Sequence, residues 1–343
     1  MGASKSTGRG RSRVTLRDVA AAAGVDVSTV SKVLNDSGQI SVRPETRQRI
    51  LDQAERLRYR PDPVARSLRY RSTGALAMLF PDLTNPVYAH IMRGAAQRAD
   101  ELGYTVLLAE WAEDGSPSSY RRLVNEHRID GFVIATSRNT GEIAEELSLQ
   151  APHVYVNRQE HKDEAAHSVI VDDEAAGRIA ARALLDAGHT ELAFLGDSDR
   201  TDTARRRRLG FLKACRAAGI ADATDVITPY TRAGGFEATL RLLRSERPPT
   251  ALFASSLLVG IGALAAAYKA GVAVPSELSI VTLDAEDASY STPPMTAVRM
   301  PLREMGEAAI DLIDRVLRGE QATSQMVPTP PELVERDSIA KRA

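Results

Sequence analysis

Along the first sixty positions the apolar residues recur at helical spacing. Leu16, Val19, Ala20 and Ala23 share one face of a first helix, with Thr15 and Asp18 spaced as a reciprocal capping box. Gly24 ends it, since the C′ position favours the left-handed backbone that glycine adopts freely. A second helix follows through Ser31, Val33 and Leu34, with Asp26 or Ser28 as its cap, so the chain must turn a sharp corner between the two. A third, from Pro44 to about Leu57, turns Ile50, Ala54 and Leu57 inward. Asp62 and Pro63 then open a short helix through Ala65 to Leu68; it has no core of its own and is marginal in isolation.

From residue 75 the rhythm changes. Short apolar runs at 75–80, 105–109, 131–135, 154–156, 169–171, 192–195, 251–254 and 279–283 predict strands. Amphipathic stretches at 86–102, 174–187, 207–218, 257–270 and 302–317 predict the helices between them. Such alternation implies parallel sheets with right-handed crossovers. The fold class expected is an all-α helix-turn-helix head on an α/β body of two doubly wound parallel-sheet subdomains. Residues 1–13 read as a basic tail, 14–60 as the head, 61–72 as a hinge, and 73–343 as the body.

Composition narrows the function. With 43% hydrophobic and 26% charged residues among 343, the chain has enough apolar material for a large core. No apolar run reaches the roughly 18 residues of a spanning helix, and the first thirteen residues are polar and basic, so a soluble, cytoplasmic protein without a secretory leader is expected. One cysteine, Cys215, supports neither an internal disulfide nor a cysteine metal cluster. The net charge of −1 conceals an asymmetry: residues 1–72 carry 15 Lys and Arg against 7 Asp and Glu, and the remainder 29 against 38. A basic head on an acidic body suits contact with a polyanion at one end.

The head supplies groups for that contact. In a helix-turn-helix the start of the second helix meets base edges in the major groove. Lys32 offers a donor to guanine, Ser28 a hydroxyl to several bases, and Val27 an apolar surface to a thymine methyl. Thr15, Thr29 and Ser31 are suited to phosphates, which position without specifying. Leu68 is an apolar residue on a helix lacking a core, flanked by Arg66 and Arg69; such a side chain can wedge between base steps and kink the duplex.

Rival chemistries are weaker. Gly260, Gly262 and the later Asp284 mimic a dinucleotide fingerprint, but these glycines fall inside a predicted helix, where no phosphate loop forms. His161 and His167 have no third ligand in view, and Met1-Gly2 with Ser6 matches only a short acylation pattern. No enzyme, cofactor or metal site is expected.

The run from Val14 to Asn35, with Glu45-Thr-Arg47 and Tyr59 to Leu68, resembles the lactose-repressor (LacI/GalR-type) family of transcription regulators. The likeness continues at Pro81 to Pro86, Arg128 to Gly131, Gly188-His189, Arg207 to Phe211, Pro249 to Phe253, Pro275 to Ile280, Leu283-Asp284, Pro294 to Thr296 and Glu332 to Ser338. It implies a repressor that binds a palindromic double-stranded operator as a homodimer, with Leu68 at the operator centre. It also implies a periplasmic-binding-type body, its chain crossing between subdomains near 157–172, 297–301 and 319–326, with a sugar-like effector in the cleft. Arg207 matches the family's ligand arginine, Asn157 and Arg158 stand where an Asp-Arg pair is frequent, and Tyr88, Trp111 and Tyr230 fall at aromatic positions. Ser256 and Asp284 complete the expected site, while Arg205, Arg206 and Arg208 are expected to be a solvated face. Where many sugar-binding members carry Asn-Asp, this chain has Ser256-Leu257, so a carboxylate is missing. A non-sugar ligand, a protein partner or no ligand is the alternative.

Overall fold

A computed structural model describes residues 14–34, 42–59, 72–110, 126, 128–135, 151–159, 167–199 and 201–342. The chain divides into two compact units, Met1–Thr73 and Gly74–Ala343.

In the first unit α1 (Leu16–Ala23), α2 (Val27–Leu34) and α3 (Pro44–Arg56) enclose a core of Val19, Ala20, Ala23, Val30, Val33, Ile50 and Ala54. The capping box forms: the Thr15 amide donates to Asp18 Oδ2 at 2.8 Å and the Asp18 amide to Thr15 Oγ1 at 3.4 Å. Gly24, at φ +65°, closes α1. Of the two candidate caps of α2, Asp26 serves, its Oδ1 accepting from the Ser28 amide at 2.7 Å. Arg49 Nε donates to the Ala23 carbonyl at 2.9 Å and ties α3 to the end of α1. The hinge helix expected at 62–69 lies outside the described residues.

In the second unit the first sheet is built by β1 (Ala75–Phe80), β2 (Thr105–Glu110), β3 (Gly131–Ile134), β4 (His153–Val156) and β5 (His167–Ile170), with α4 (Pro86–Leu102) between β1 and β2. Next come α5 (Asp173–Asp186), β6 (Leu192–Gly196), α6 (Asp202–Ala217), β7 (Thr224–Ile227), α7 (Arg232–Leu243) and β8 (Ala251–Ala254). The chain continues through α8 (Leu257–Ala270), β9 (Ser279–Leu283), α9 (Ala285–Ala288), β10 (Thr296–Arg299), α10 (Leu302–Leu317), β11 (Gln325–Met326) and β12 (Glu332–Val334). The sheet orders are β11-β5-β4-β3-β1-β2 and β12-β10-β9-β8-β6-β7. All pairings are parallel except β10 with β12.

The chain passes between sheets three times. The first passage follows Ile170 and the second follows Arg299. The third comes between Met326 and Glu332, later than the expected 319–326, because Gln325 and Met326 still pair with Val169 and Ile170 of the first sheet. β7, α7, α9 and the last three strands were not predicted. β7 is a mostly exposed edge strand with no apolar run, and β10 to β12 are four residues or fewer. α6 starts at Asp202, five residues earlier than its pattern suggested, since four successive arginines mask its apolar stripe.

Three helix pairs cross so closely that only hydrogen fits between them, α4 with α10 among them, where a Cβ on Gly94 would stand 2.0 Å from the Arg303 carbonyl oxygen. A Cβ on Gly177 of α5 would stand 2.0 Å from the Arg207 carbonyl oxygen, and one on Gly210 of α6 would stand 1.9 Å from that of Glu174. Gly262 of α8 meets the Arg232 carbonyl oxygen of α7 at 2.1 Å in the same way. That contact accounts for the glycine that imitated a nucleotide fingerprint: it serves helix packing. The Gly177–Gly210 pair fixes where Arg207 stands.

Candidate functional site

On the head, Ser28 and Lys32 are exposed on α2, and Thr29 is half-buried beside them. Val27 is half-buried against the head's core. Thr15 is exposed, and its hydroxyl donates to Asp18 Oδ2 at 2.8 Å as part of the cap. Ser31 departs from expectation. It is 3% exposed, on the inward face of α2 with Val30, so its hydroxyl is withheld from a phosphate. Arg66, Leu68 and Arg69 lie outside the described residues.

The body gathers charge at the strand ends. Arg207, on α6, is 5% exposed. Its Nε donates to Asp173 Oδ1 at 2.7 Å and its Nη1 to the Ser255 carbonyl at 2.8 Å. Burial is the largest influence and by itself would lower its pKa, but Asp173, Tyr230 and Asp284 together hold it above the ordinary arginine value. Tyr230 OH and Ser255 Oγ lie 3.2 Å apart beside it, and burial pushes the Tyr230 phenol up. Asp284 directly follows β9, in the left-handed region at φ +60°, and is 5% exposed. Burial raises its carboxyl to about 6, partly offset by Arg207 and His90.

The first sheet contributes a second set of the expected residues. Asn157 follows β4 at φ +67° and is 8% exposed. Arg158 is buried, its guanidinium carbon 5.4 Å from the Tyr155 ring centroid. Two buried acceptors, Asn157 Oδ1 and Asp284 Oδ2, have no hydrogen-bond partner among the described residues. Strained backbone at two strand ends, each carrying an unsatisfied acceptor, is the signature of a site shaped for something else to bind. A cavity of about 270 Å³ reaches Asp284 from the side of His90, Arg93 and Arg299.

Not every expected residue joins this group as a ligand surface. Tyr88 is buried in the core of the first sheet, its ring 5.3 Å from that of Phe80. Ser256 is buried at the start of α8, and Leu257 packs into the second sheet's core, so no carboxylate takes its place. Trp111 lies outside the described residues. The arginine run needs correction. Arg205 is solvated, but the side chains of Arg206 and Arg208 are only 11% and 15% exposed. Arg206 lies between Asp173 and Asp202, and Arg208 pairs with Asp199 and Asp225. A run of like charges read without its partners looks solvated; four carboxylates from α5, α6, β7 and the loop before α6 neutralise it. His90 was also missed: its Nε2 lies 3.4 Å from Asp287 Oδ2, joining α4 to α9. A lone histidine in an amphipathic helix gives no sign of a partner 197 residues away.

Among the described residues no helix is long and apolar enough to cross a membrane, and no group of three or more His, Cys, Asp and Glu could hold a metal.

Comparison with known proteins adds matches of three kinds, to family models, to relatives and to a solved structure. Residues 15–62 match the model for bacterial regulatory proteins of the lacI family, and residues 181–339 match a periplasmic binding protein-like domain. The HTH-type transcriptional regulator DegA of Bacillus subtilis is 32% identical over 335 residues, which cover 96% of this chain and 98% of that protein. The ribose operon repressor of Escherichia coli is 31% identical over 332 residues, covering 94% and 99%. The crystal structure of the lac repressor dimer bound to operator and an anti-inducer superposes with a TM-score of 0.79 at 24% identity, covering 96% of this chain and 99% of that one, and so shares the fold.

Proposed function

This chain belongs to the lacI family of bacterial regulatory proteins, and we propose that it is a transcriptional repressor that grips a two-fold-symmetric operator as a homodimer and answers to a small polyhydroxylated effector at Arg207. As a DNA-binding regulator rather than an enzyme, it reads bases with Ser28, Lys32 and Val27 of α2, works in the cytoplasm, and uses Leu68 as a central wedge flanked by Arg66 and Arg69.

The effector reading is carried by one observation: Asn157 Oδ1 and Asp284 Oδ2 are buried acceptors without partners among the described residues, each directly after a strand of one of the two sheets, and the charge of buried Arg207 acts on Asp284. Hydroxyl groups donate to both acceptors and accept from the guanidinium, which is what a sugar or sugar derivative presents. The ribose operon repressor among the relatives bears a name of that chemistry. Leu257 in place of a carboxylate favours a ligand with fewer hydroxyls, or one carrying an anion for Arg207 and Arg158.

Ligand closing the two sheets on one another changes the body's geometry, so effector and operator must alter each other's affinity reciprocally. Heating the full-length protein with neutral pentoses and hexoses, their phosphates, and nucleobases tests this. A specific effector raises the melting temperature by an amount that grows with the logarithm of its concentration above Kd. No shift with any compound would remove the effector from the proposal. Selection from random duplexes at physiological salt tests the other half, and recovery of no palindrome would overturn it.

A further inference from the structure

The cavity of about 270 Å³ beside Asp284 falls below the roughly 300 Å³ where pockets for drug-sized ligands begin, so it suits one end of a ligand. Its walls are His90 and Arg93 of α4, Asp284 and Glu286 at α9, and residues 299–304, which lead into α10. Most of its charges are already engaged. Arg299 Nη1 lies 2.9 Å from Glu332 Oε2, and Arg303 Nε lies 3.5 Å from Glu307 Oε1. The Thr329 hydroxyl donates to Glu304, and His90 lies 3.7 Å from Glu286 and 3.4 Å from Asp287. Three groups remain unengaged. Arg93 has no hydrogen-bond or ion-pair partner among the described residues. No side chain caps α10 at Pro301, so the first-turn amides of Arg303 and Glu304 are left without a capping acceptor. Asp284 lines the same cavity at 5% exposure, with Oδ2 unpartnered. The close crossing of α4 with α10 sets the first two of these side by side, since Gly94 meets the Arg303 carbonyl and Gly306 that of Ile91, each at 2.0 Å from a would-be Cβ.

We propose that this cavity is a subsite for the anionic end of a hydroxylated ligand, a phosphate monoester or a carboxylate. Arg93 and the first-turn amides of α10 hold the anion, while a hydroxyl of the same ligand donates to Asp284 Oδ2. A guanidinium fork matches both kinds of anion, and the start of a helix favours negative charge through its dipole and free amides. The remaining carboxylates of the lining are each matched by a partner, Glu286 by His90 and Glu304 by Thr329. The unengaged groups therefore ask for an acceptor-rich charge at one end and a donor hydroxyl at the other. This inference rests on Asp284 belonging to the effector site, to which it adds a charged pole. It also gives that pole a role in closure. α4 joins two strands of the first sheet, Asp284 follows β9 of the second, and α10 opens directly after the second passage. One ligand spanning these groups ties both sheets together at the passage.

Titrating the full-length protein with glycerol 3-phosphate, glycerate and glycerol in a calorimeter at constant ionic strength tests the subsite. At least one of the two anions is expected to bind about tenfold or more tightly than glycerol, and the tighter of them identifies the anion as phosphate or carboxylate. Arg93 is exposed and without a partner, so Arg93→Gln keeps the fold; it should weaken that anion by about tenfold and leave glycerol unchanged. Arg93→Lys, which keeps the charge without the fork, should restore part of the loss. Arg216→Gln removes an exposed arginine outside the cavity lining and should stay within about twofold of wild type. Neither anion binding better than glycerol would overturn the subsite, as would equal losses in Arg93→Gln and Arg216→Gln. The two readings fail separately. A neutral sugar that raises the melting temperature while both anions fail here removes the subsite alone, whereas anion binding that depends on Arg93 beside a blank thermal screen removes the effector alone.

Discussion

Arg207 Nε and Asp173 Oδ1 lie 2.7 Å apart, and their side chains are 6% and 0% exposed. The pair joins α6 to the first turn of α5, directly after the chain leaves the first sheet. A guanidinium held this way is oriented before any ligand arrives, so little ordering cost remains for binding.

Replacing Arg207 by alanine is expected to abolish the effector-induced rise in melting temperature while operator affinity stays within about twofold of wild type, because the head is a separate unit. The body should lose on the order of 1–3 kcal/mol, less than a fully orphaned buried charge costs, since Arg206 remains beside Asp173. Thermal shift with and without ligand, beside operator titration, measures both. A full ligand shift in the variant would place the effector elsewhere.

Asp284 gives the unliganded protein a pH signature. Its carboxyl is raised by burial from 3.8 to about 6, so the native state holds this proton more tightly than the unfolded chain. The resulting stability is fully present below the unfolded value and is lost as pH rises through about 6, a swing on the order of 3 kcal/mol. The unfolding free energy of wild type relative to Asp284→Asn should therefore fall as pH rises from 3.8 to about 6 and level off above that. A flat difference would show a solvated carboxyl. Ligand hydroxyls prefer the ionised form as acceptor, so effector affinity should rise over the same interval.

Lys32 and Ser31 are neighbours in sequence with opposite expected effects. Exposed Lys32 changed to alanine should weaken operator binding by about 1–3 kcal/mol and relax selectivity at one base-pair step. Buried Ser31 changed to alanine should leave the salt dependence of DNA binding unchanged and act only on head stability. Titrations at several salt concentrations separate the two. A reduced salt slope for Ser31→Ala would return that residue to the phosphate contacts.

Gly210→Ala tests the close helix crossing. Its Cβ would stand 1.9 Å from a backbone oxygen of α5, so the helices must part. The body is expected to lose about 2 kcal/mol, or roughly 5 °C in melting temperature, and effector affinity should fall because Arg207 moves with α6. Unaltered stability would show that the crossing has slack.

The periodicities of the sequence determined much of this. Val19, Ala20 and Ala23 at helical spacing, the Thr15–Asp18 box and Gly24 fixed the head, since each acts within a turn or two of chain. The apolar runs at 75–80 and 251–254 fixed the parallel sheets, because a strand buried on both faces has no polar face to hide it. The family motifs singled out Arg207, Asn157 and Asp284. Only the tertiary structure decided the partners. Asp173 stands 34 residues from Arg207, Gln159 stands 43 from Asp202, and Asp287 stands 197 from His90. It likewise decided that Arg206 is enclosed, that Ser31 and Tyr88 are core, and that the third passage waits for β11 to pair. Local sequence carries information through backbone propensity and periodic burial. The charge state and exposure of a side chain depend on which distant atoms fill the space around it, and folding alone brings those together.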